Sequence, residues 1–175
     1  MKRKMNREKI NKYLKFGSIA LLFIVIQTVF GIYIEINDIV PDLFFAFVIF
    51  YACINGKFKE VVIVAMVYGI ISDFVCHSEF VGCTAMYTYC AAIVYFVKNL
   101  FIKPNIVFLS VIALVTFIFG KSLLYPVLLL NTKIGFSYYF ANDIIPSAFY
   151  NTVCFFVIDL IWVIAQKRRE KNNAA

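Results

Sequence analysis

The sequence predicts an all-α membrane protein, a six-helix transmembrane bundle, and three observations carry that expectation. First, 63% of the 175 residues are hydrophobic and only 15% are charged; a soluble domain of this length buries too little of its chain to hide so much apolar surface. Second, the apolar residues gather into six runs, each about long enough to cross ~30 Å of hydrocarbon once tilt is allowed. Third, the basic residues alternate between the connections of those runs in the way that topology in a bilayer requires. Helices are the only choice for such runs, because an isolated strand in lipid leaves its backbone groups unpaired, and the alternation of a transmembrane barrel is absent.

The first run, 16–34, follows a basic tail at 1–15 in which Lys2, Arg3, Lys4, Arg7, Lys9, Lys12 and Lys15 stand against a single Glu8. That order also opens a cleaved secretory signal. This run, however, exceeds the usual apolar core of ~7–15 residues, and no small-x-small cleavage pattern follows it, so it is expected to stay attached as a span. The second and third runs, 40–54 and 61–76, are short, which predicts little tilt or local thinning of the bilayer. The fourth, fifth and sixth cover 80–97, 106–130 and 144–165. A second basic tail, 166–175, carries Lys167, Arg168, Arg169 and Lys171.

With the amino terminus inside, the cytoplasmic segments hold both tails, Lys57 and Lys59 after the second run, and Lys98 and Lys103 after the fourth. The external loops hold only Lys133, and Lys121 lies within the fifth run. The split is the one the positive-inside rule demands, and it fails if any single span is dropped. Both termini are therefore expected in the cytoplasm. The loops are too short for an extramembrane domain; the longest, 131–143, carries Phe136, Tyr138, Tyr139 and Phe140, an aromatic anchor for the outer interface.

The net charge of +7 does not point to nucleic acid. Its charges flank apolar runs, where they set topology and meet anionic headgroups, and no soluble segment can carry a folded basic surface. The five cysteines are odd in number and mostly inside apolar runs, which predicts free thiols rather than a disulfide framework. Cys76, Cys83 and Cys90 recur every seven residues near His77 and Glu79, but without a C-x-x-C pair that spacing favours helix packing over metal. No cofactor or metal is expected.

Four ionisable residues fall inside the runs: Asp42, Asp73, Lys121 and Asp159. Such groups are costly in lipid and face protein or trapped water. The topology puts Asp42, Asp73 and Lys121 at similar heights in the outer half, predicting an ion pair or cluster that joins Lys121 to Asp42 or Asp73 and holds helices together. Asp159 belongs to the inner half, within reach of Lys98, Lys103 or headgroups. Pro126 should kink the fifth run one turn after Lys121, whereas Pro41 and Pro146 open runs, where a missing N–H costs little. Gly69, four residues before Asp73, allows close helix contact. Enzyme chemistry is not expected: His77 has no nucleophile partner, no hydrolase, metalloprotease or phosphate-loop motif occurs, and Asp73 and Asp159 fall in opposite leaflets.

Pro41-Asp42-Leu43, then Gly69-Ile70-Ile71-Ser72-Asp73-Phe74, then Ser78-Glu79-Phe80-Val81-Gly82, and finally Pro146 followed by Asn151, resemble in order and spacing the rod shape-determining MreD family. The resemblance covers most of the chain from about Pro41. Ile70 and Ile71 stand where leucines are more usual, and Lys121 matches no family motif. The resemblance implies a non-enzymatic subunit of the bacterial elongation machinery in the cell membrane, supporting peptidoglycan synthesis and cell shape. Its implied partners are an MreC-like membrane protein and, through it, an MreB-like actin and the peptidoglycan synthases. It marks Asp42, Gly69, Asp73, Gly82, Pro146 and Asn151 as structural or partner-binding positions, to which the physical reading adds Lys121 and Pro126. The family also looks distantly like the six-helix substrate-binding subunits of energy-coupling-factor vitamin transporters, the alternative expectation for fold and function.

Overall fold

The computed structural model describes residues 18, 22, 25–30, 33, 39–75, 82–101, 105–131 and 135–174. Among these the chain is all-helical. Five long helices, α1 (Leu43–Ile54), α2 (Phe58–Val75), α3 (Gly82–Asn99), α4 (Ile106–Asn131) and α6 (Ile145–Ala174), correspond to the second through sixth apolar runs, and a single turn, α5 (Phe136–Tyr139), precedes α6. A π turn at Ile26–Phe30 lies in the first run, most of which falls outside the described residues, as do the first tail and the 76–81 connection. Two helical stretches, Ile106–Pro126 and Phe136–Arg168, are long and apolar enough to cross a membrane.

α1 is the axis of the bundle. Its sequence, LFFAFVIFYACI, has no polar face, and a helix that is apolar all round belongs in an interior. Phe44 through Cys53 are all buried. The other four long helices pack around α1, with α2 against α3, α3 against α4 and α4 against α6. Phe45 shows how the axis is held: it stacks on Tyr87 of α3 with centroids 5.0 Å apart, and meets the edge of Phe117 of α4 at 4.8 Å. At 12 residues α1 is only about 18 Å long, shorter than each of the four helices around it. The polar ends of a short central helix need partners from its neighbours.

The outer surface inverts the usual pattern. Ile63, Met66, Val67, Ile70 and Phe74 of α2 are exposed, as are Val107, Val111, Val115, Phe119 and Leu123 of α4 and Phe149, Val153, Val157, Leu160 and Ile161 of α6. Ser72, Lys98, Thr116, Ser147, Asn151 and Asp159 are buried. Apolar residues point outward along whole helices, and these few polar residues lie within an otherwise apolar core.

Pro146 stands in the first turn of α6, as expected, but the backbone ahead of it is already helical. The backbone is helical from Phe136 onward, through a π turn at Phe140–Ile144 and into α6. Proline lacks an N–H and its ring crowds the carbonyl one turn back; the wide π turn just before it opens the backbone there, with Ile145 N–H bonding back to Phe140 O. Much of the expected outer loop is thus helix, and Tyr125 of α4 packs on its Phe136 and Tyr139. Pro126 lies inside α4, which continues to Asn131. The second basic tail is also a continuation of α6.

Candidate functional site: polar clusters at the two ends of the central helix

The head of α1 gathers polar groups from five segments. Asp42 caps the helix, its Oδ1 accepting from Phe45 N at 3.0 Å, which satisfies one of the free amides that every helix start exposes. The Tyr87 hydroxyl of α3 donates to Asp42 Oδ2 at 2.5 Å. That proton being committed, the Ser72 hydroxyl of α2, 3.0 Å from the Tyr87 oxygen, is the donor in the second bond. Asn151, fully buried on α6, accepts from Asp42 N at 2.6 Å through Oδ1 and turns Nδ2 toward Ser147 Oγ at 3.4 Å. Gln27, on the first π turn, straddles the chain entering α1: Nε2 donates to Pro41 O at 2.8 Å and Oε1 accepts from Leu43 N at 3.2 Å.

Beside this cluster Asp73, three residues from the end of α2, reaches across to the start of α3. Its carboxylate accepts from Cys83 N at 2.9 Å, Thr84 N at 3.0 Å and Thr84 Oγ1 at 2.5 Å. An acid at a helix N-terminus satisfies free amides and opposes the macrodipole; here the cap comes from the neighbouring helix. The reach depends on Gly69, where a Cβ would stand 2.5 Å from Thr84 Cα and 3.1 Å from Thr84 N. Gly82 opens α3 with looser constraint, since a Cβ there would meet only the movable Leu124 Cδ2 at 3.1 Å.

The foot of α1 is closed by a second cluster. Lys98, buried on α3, donates from Nζ to Cys53 O at 2.9 Å and to Asn55 O, placing a cation at a helix C-terminus, where the macrodipole favours it. The Tyr95 hydroxyl donates to Gly56 O at 2.9 Å. Asn55 Nδ2 donates to the Tyr51 hydroxyl at 2.6 Å and to Glu60 Oε2 at 3.3 Å, and Lys57 pairs with Glu60 at 3.4 Å.

The structure therefore unites Asp42, Gly69, Asp73, Gly82 and Asn151 around the heads of α1 and α3, with Pro146 five residues before Asn151. It corrects the expected clamp. The Lys57–Glu60 pair is the one ion pair among the described residues; Lys121 bonds neither Asp42 nor Asp73, both of which are taken by backbone amides and hydroxyls, although its charge reaches Asp42 through space. Amide and hydroxyl donors neutralise a buried carboxylate without the desolvation of an ammonium, and that is why the pair is dispensable here. Lys98 is likewise engaged by the carbonyls of α1, not by Asp159, which is buried near Cys53 at the opposite end of α1 from Asp42. Lys103 lies outside the described residues. The residues that sequence reasoning missed are Gln27, Ser72, Thr84 and Tyr87. Gln27 left a signal, the only side-chain amide in the first run; Tyr87 is one of three tyrosines in the fourth, and nothing in the spacing singles it out.

Cys53, Cys83, Cys90 and Cys154 are free thiols. Among the described residues no group of three or more His, Cys, Asp or Glu side chains is disposed to hold a metal; Cys76, His77 and Glu79 lie outside them. No buried side-chain nitrogen or oxygen among the described residues lacks a hydrogen-bond partner. No family model, curated protein or solved structure matches the chain.

Proposed function

We propose that the chain is a multi-pass protein of the bacterial cell membrane, with six spans and both termini cytoplasmic, and that it serves as a non-enzymatic subunit of the rod-shape complex. In that role it supports lateral peptidoglycan synthesis by binding an MreC-like membrane protein, and through it an MreB-like actin and the wall synthases. The membrane part of this reading draws on the apolar outer surface and the distribution of basic residues, since lipid is the solvent in which an exterior as apolar as the core is stable.

The observation that carries the functional part is convergence. The segments behind the family resemblance, Pro41-Asp42, Gly69 to Asp73, Gly82 and Pro146 to Asn151, are far apart in sequence, yet Asp42 N lies 2.6 Å from Asn151 Oδ1 and Asp73 lies 2.9 Å from the amide beside Gly82. Residues that carry the resemblance and also hold one another's backbones are those a shared fold would need. Their bonds are spent internally, which suits a scaffold subunit better than a capture site. Depletion of the protein in a rod-shaped host is expected to yield spheres with dispersed wall insertion; unchanged rods would refute the reading.

The alternative, a vitamin-capturing subunit of an energy-coupling-factor transporter, draws on the polar cluster at the head of α1. Such a pocket needs polar groups left open for a ligand, and those of this cluster are engaged with one another. A native mass spectrum carrying a bound small molecule would revive it.

A further inference from the structure

Along α6 one row of buried residues faces the bundle: Ala148, Asn151, Phe155 and Asp159 follow one another at intervals of three or four. The row ends at Asp159. From Leu160 to Arg168 every residue is exposed, more than two turns of helix. Leu160, Ile161, Val163 and Ile164 are each at least 36% open, while Trp162 still touches α1, edge-on to Phe50 with centroids 5.9 Å apart. The inner end of α6 thus leaves the bundle, and a carboxylate marks the place where it does.

That carboxylate is unpaired. Asp159 is only 5% exposed, yet no hydrogen bond or ion pair reaches it among the described residues. Every fully sealed side-chain oxygen among them is bonded, so the oxygens of Asp159 open onto the surface through a narrow gap. Nearby cations are spent or distant. Lys98 is turned to the carbonyls of Cys53 and Asn55, Lys57 pairs with Glu60, and Lys167 comes about 12 Å later along α6. Asp42 and Asp73, by contrast, each hold several donors.

We propose that a transmembrane helix of a different protein lies along the inner end of α6 and sets a lysine or arginine from its cytoplasmic half against Asp159. An unpaired carboxylate in hydrocarbon is costly, and a counter-charge removes the cost. Lipid ammonium groups stay level with Lys167, out of reach. A second copy does not fit, because α6 against α6 about a two-fold axis would bring two carboxylates together, and like charges oppose association. The exposed apolar turns from Leu160 to Ile164 give the partner helix its packing surface, and Asp159 fixes its register. The inference rests on the multi-pass reading above and gives the membrane partner proposed there a place on α6.

The test uses the full chain in host membranes, with benzoylphenylalanine in place of Val163. Irradiation is expected to join it to one membrane protein, at a residue of an apolar helix within about one turn of a lysine or arginine. Asp159→Lys should lower the adduct by at least about tenfold, and replacing the partner's cation by aspartate should restore it. The purified chain in detergent gives an independent readout: Asp159→Asn should melt no lower than wild type, since no bond within the chain is lost. An adduct of two copies, near twice 20.1 kDa, an adduct indifferent to Asp159→Lys, a charge reversal that fails to rescue, or an Asp159→Asn chain that melts lower, the sign of an internal partner, would each overturn the pairing. Val157→Cys separates the two levels of the argument, because Val157 is 50% exposed on the same helix, about 15 Å before Lys167. Modification above the parent chain by an impermeant maleimide, in sealed or inverted vesicles, would put α6 in water and remove the multi-pass reading itself. A protected thiol with no adduct from position 163 overturns the docking surface alone.

Discussion

Replacing Gly69 by alanine tests the tightest contact found at any glycine among the described residues. The added Cβ would stand 2.5 Å from Thr84 Cα and 3.3 Å from Cys83 O, both backbone atoms of α3, so no side chain can swing aside. Ordinary contact needs ~3.5 Å or more, hence a separation of α2 from α3 by about 1 Å. One turn further on, Asp73 grips Cys83 N at 2.9 Å and Thr84 N at 3.0 Å, and that separation carries both bonds past useful length. Overpacking costs about 1–3 kcal/mol, weakening a charge-assisted cap about 1.5–3, and the better helix propensity of alanine returns about 1, leaving a net loss of about 1.5–5 kcal/mol. For a chain of this size that corresponds to a melting point lower by on the order of 5–15 °C, readable by thermal unfolding of the full chain in detergent. Two controls set the scale. At Gly56 a Cβ meets nothing within 4 Å, so Gly56→Ala should stay within about 0.5 kcal/mol; Gly82→Ala has only the Leu124 side chain to displace and should cost less than about 1.5 kcal/mol. A Gly69→Ala protein as stable as Gly56→Ala, or more stable than wild type, would refute the reasoning.

Three further substitutions probe the clusters. Tyr87→Phe removes the phenol that donates to Asp42 and faces Ser72, and chemical unfolding should show a loss of about 1.5–3 kcal/mol. Asp73→Ala strips three bonds from the start of α3 and should cost about 3 kcal/mol, with Asp73→Asn, which retains one acceptor, losing roughly half of that in the same assay. Lys98→Met leaves the carbonyls of Cys53 and Asn55 without their ammonium; hydrogen exchange of the amides around the foot of α1 should accelerate by on the order of tenfold, while those at its head stay protected.

What could be read from the sequence was decided by period and by charge. Runs of apolar residues between basic flanks mark helices whatever their neighbours are, so α1 to α4 lie close to the expected bounds. Gly69 before Asp73 announced a close contact because glycine and an acid at i, i+4 share one helix face. The partner of Asp73 was not legible. Pairing it with Lys121 follows from charge alone, but a carboxylate at the end of one helix is equally served by the free amides opening the next, and only the geometry of the α2–α3 approach decides between them. The same holds for Asp42: its cap to Phe45 is local and readable, whereas its bonds to Tyr87 and Asn151 span 45 and 109 residues. Pro146 marked the first turn of α6, but the π turn that joins it to the helical backbone before leaves no residue signature. Depth put Asp42 and Asp73 at comparable heights; that Asn151 joins Asp42 there, 109 residues away, was not legible.

Site-directed labelling of the two connections at opposite ends of the bundle tests the central claim most directly. Single cysteines at Ser137, on the exposed turn α5, and at Lys57, exposed beside the foot of α1, are treated in intact cells with an impermeant maleimide and compared with the parent chain. An inverted bundle that threads the bilayer six times predicts rapid modification at 137 and none at 57 until the cells are opened. Equal labelling of both positions before lysis would mean that the apolar helices do not separate two compartments, and would contradict the account.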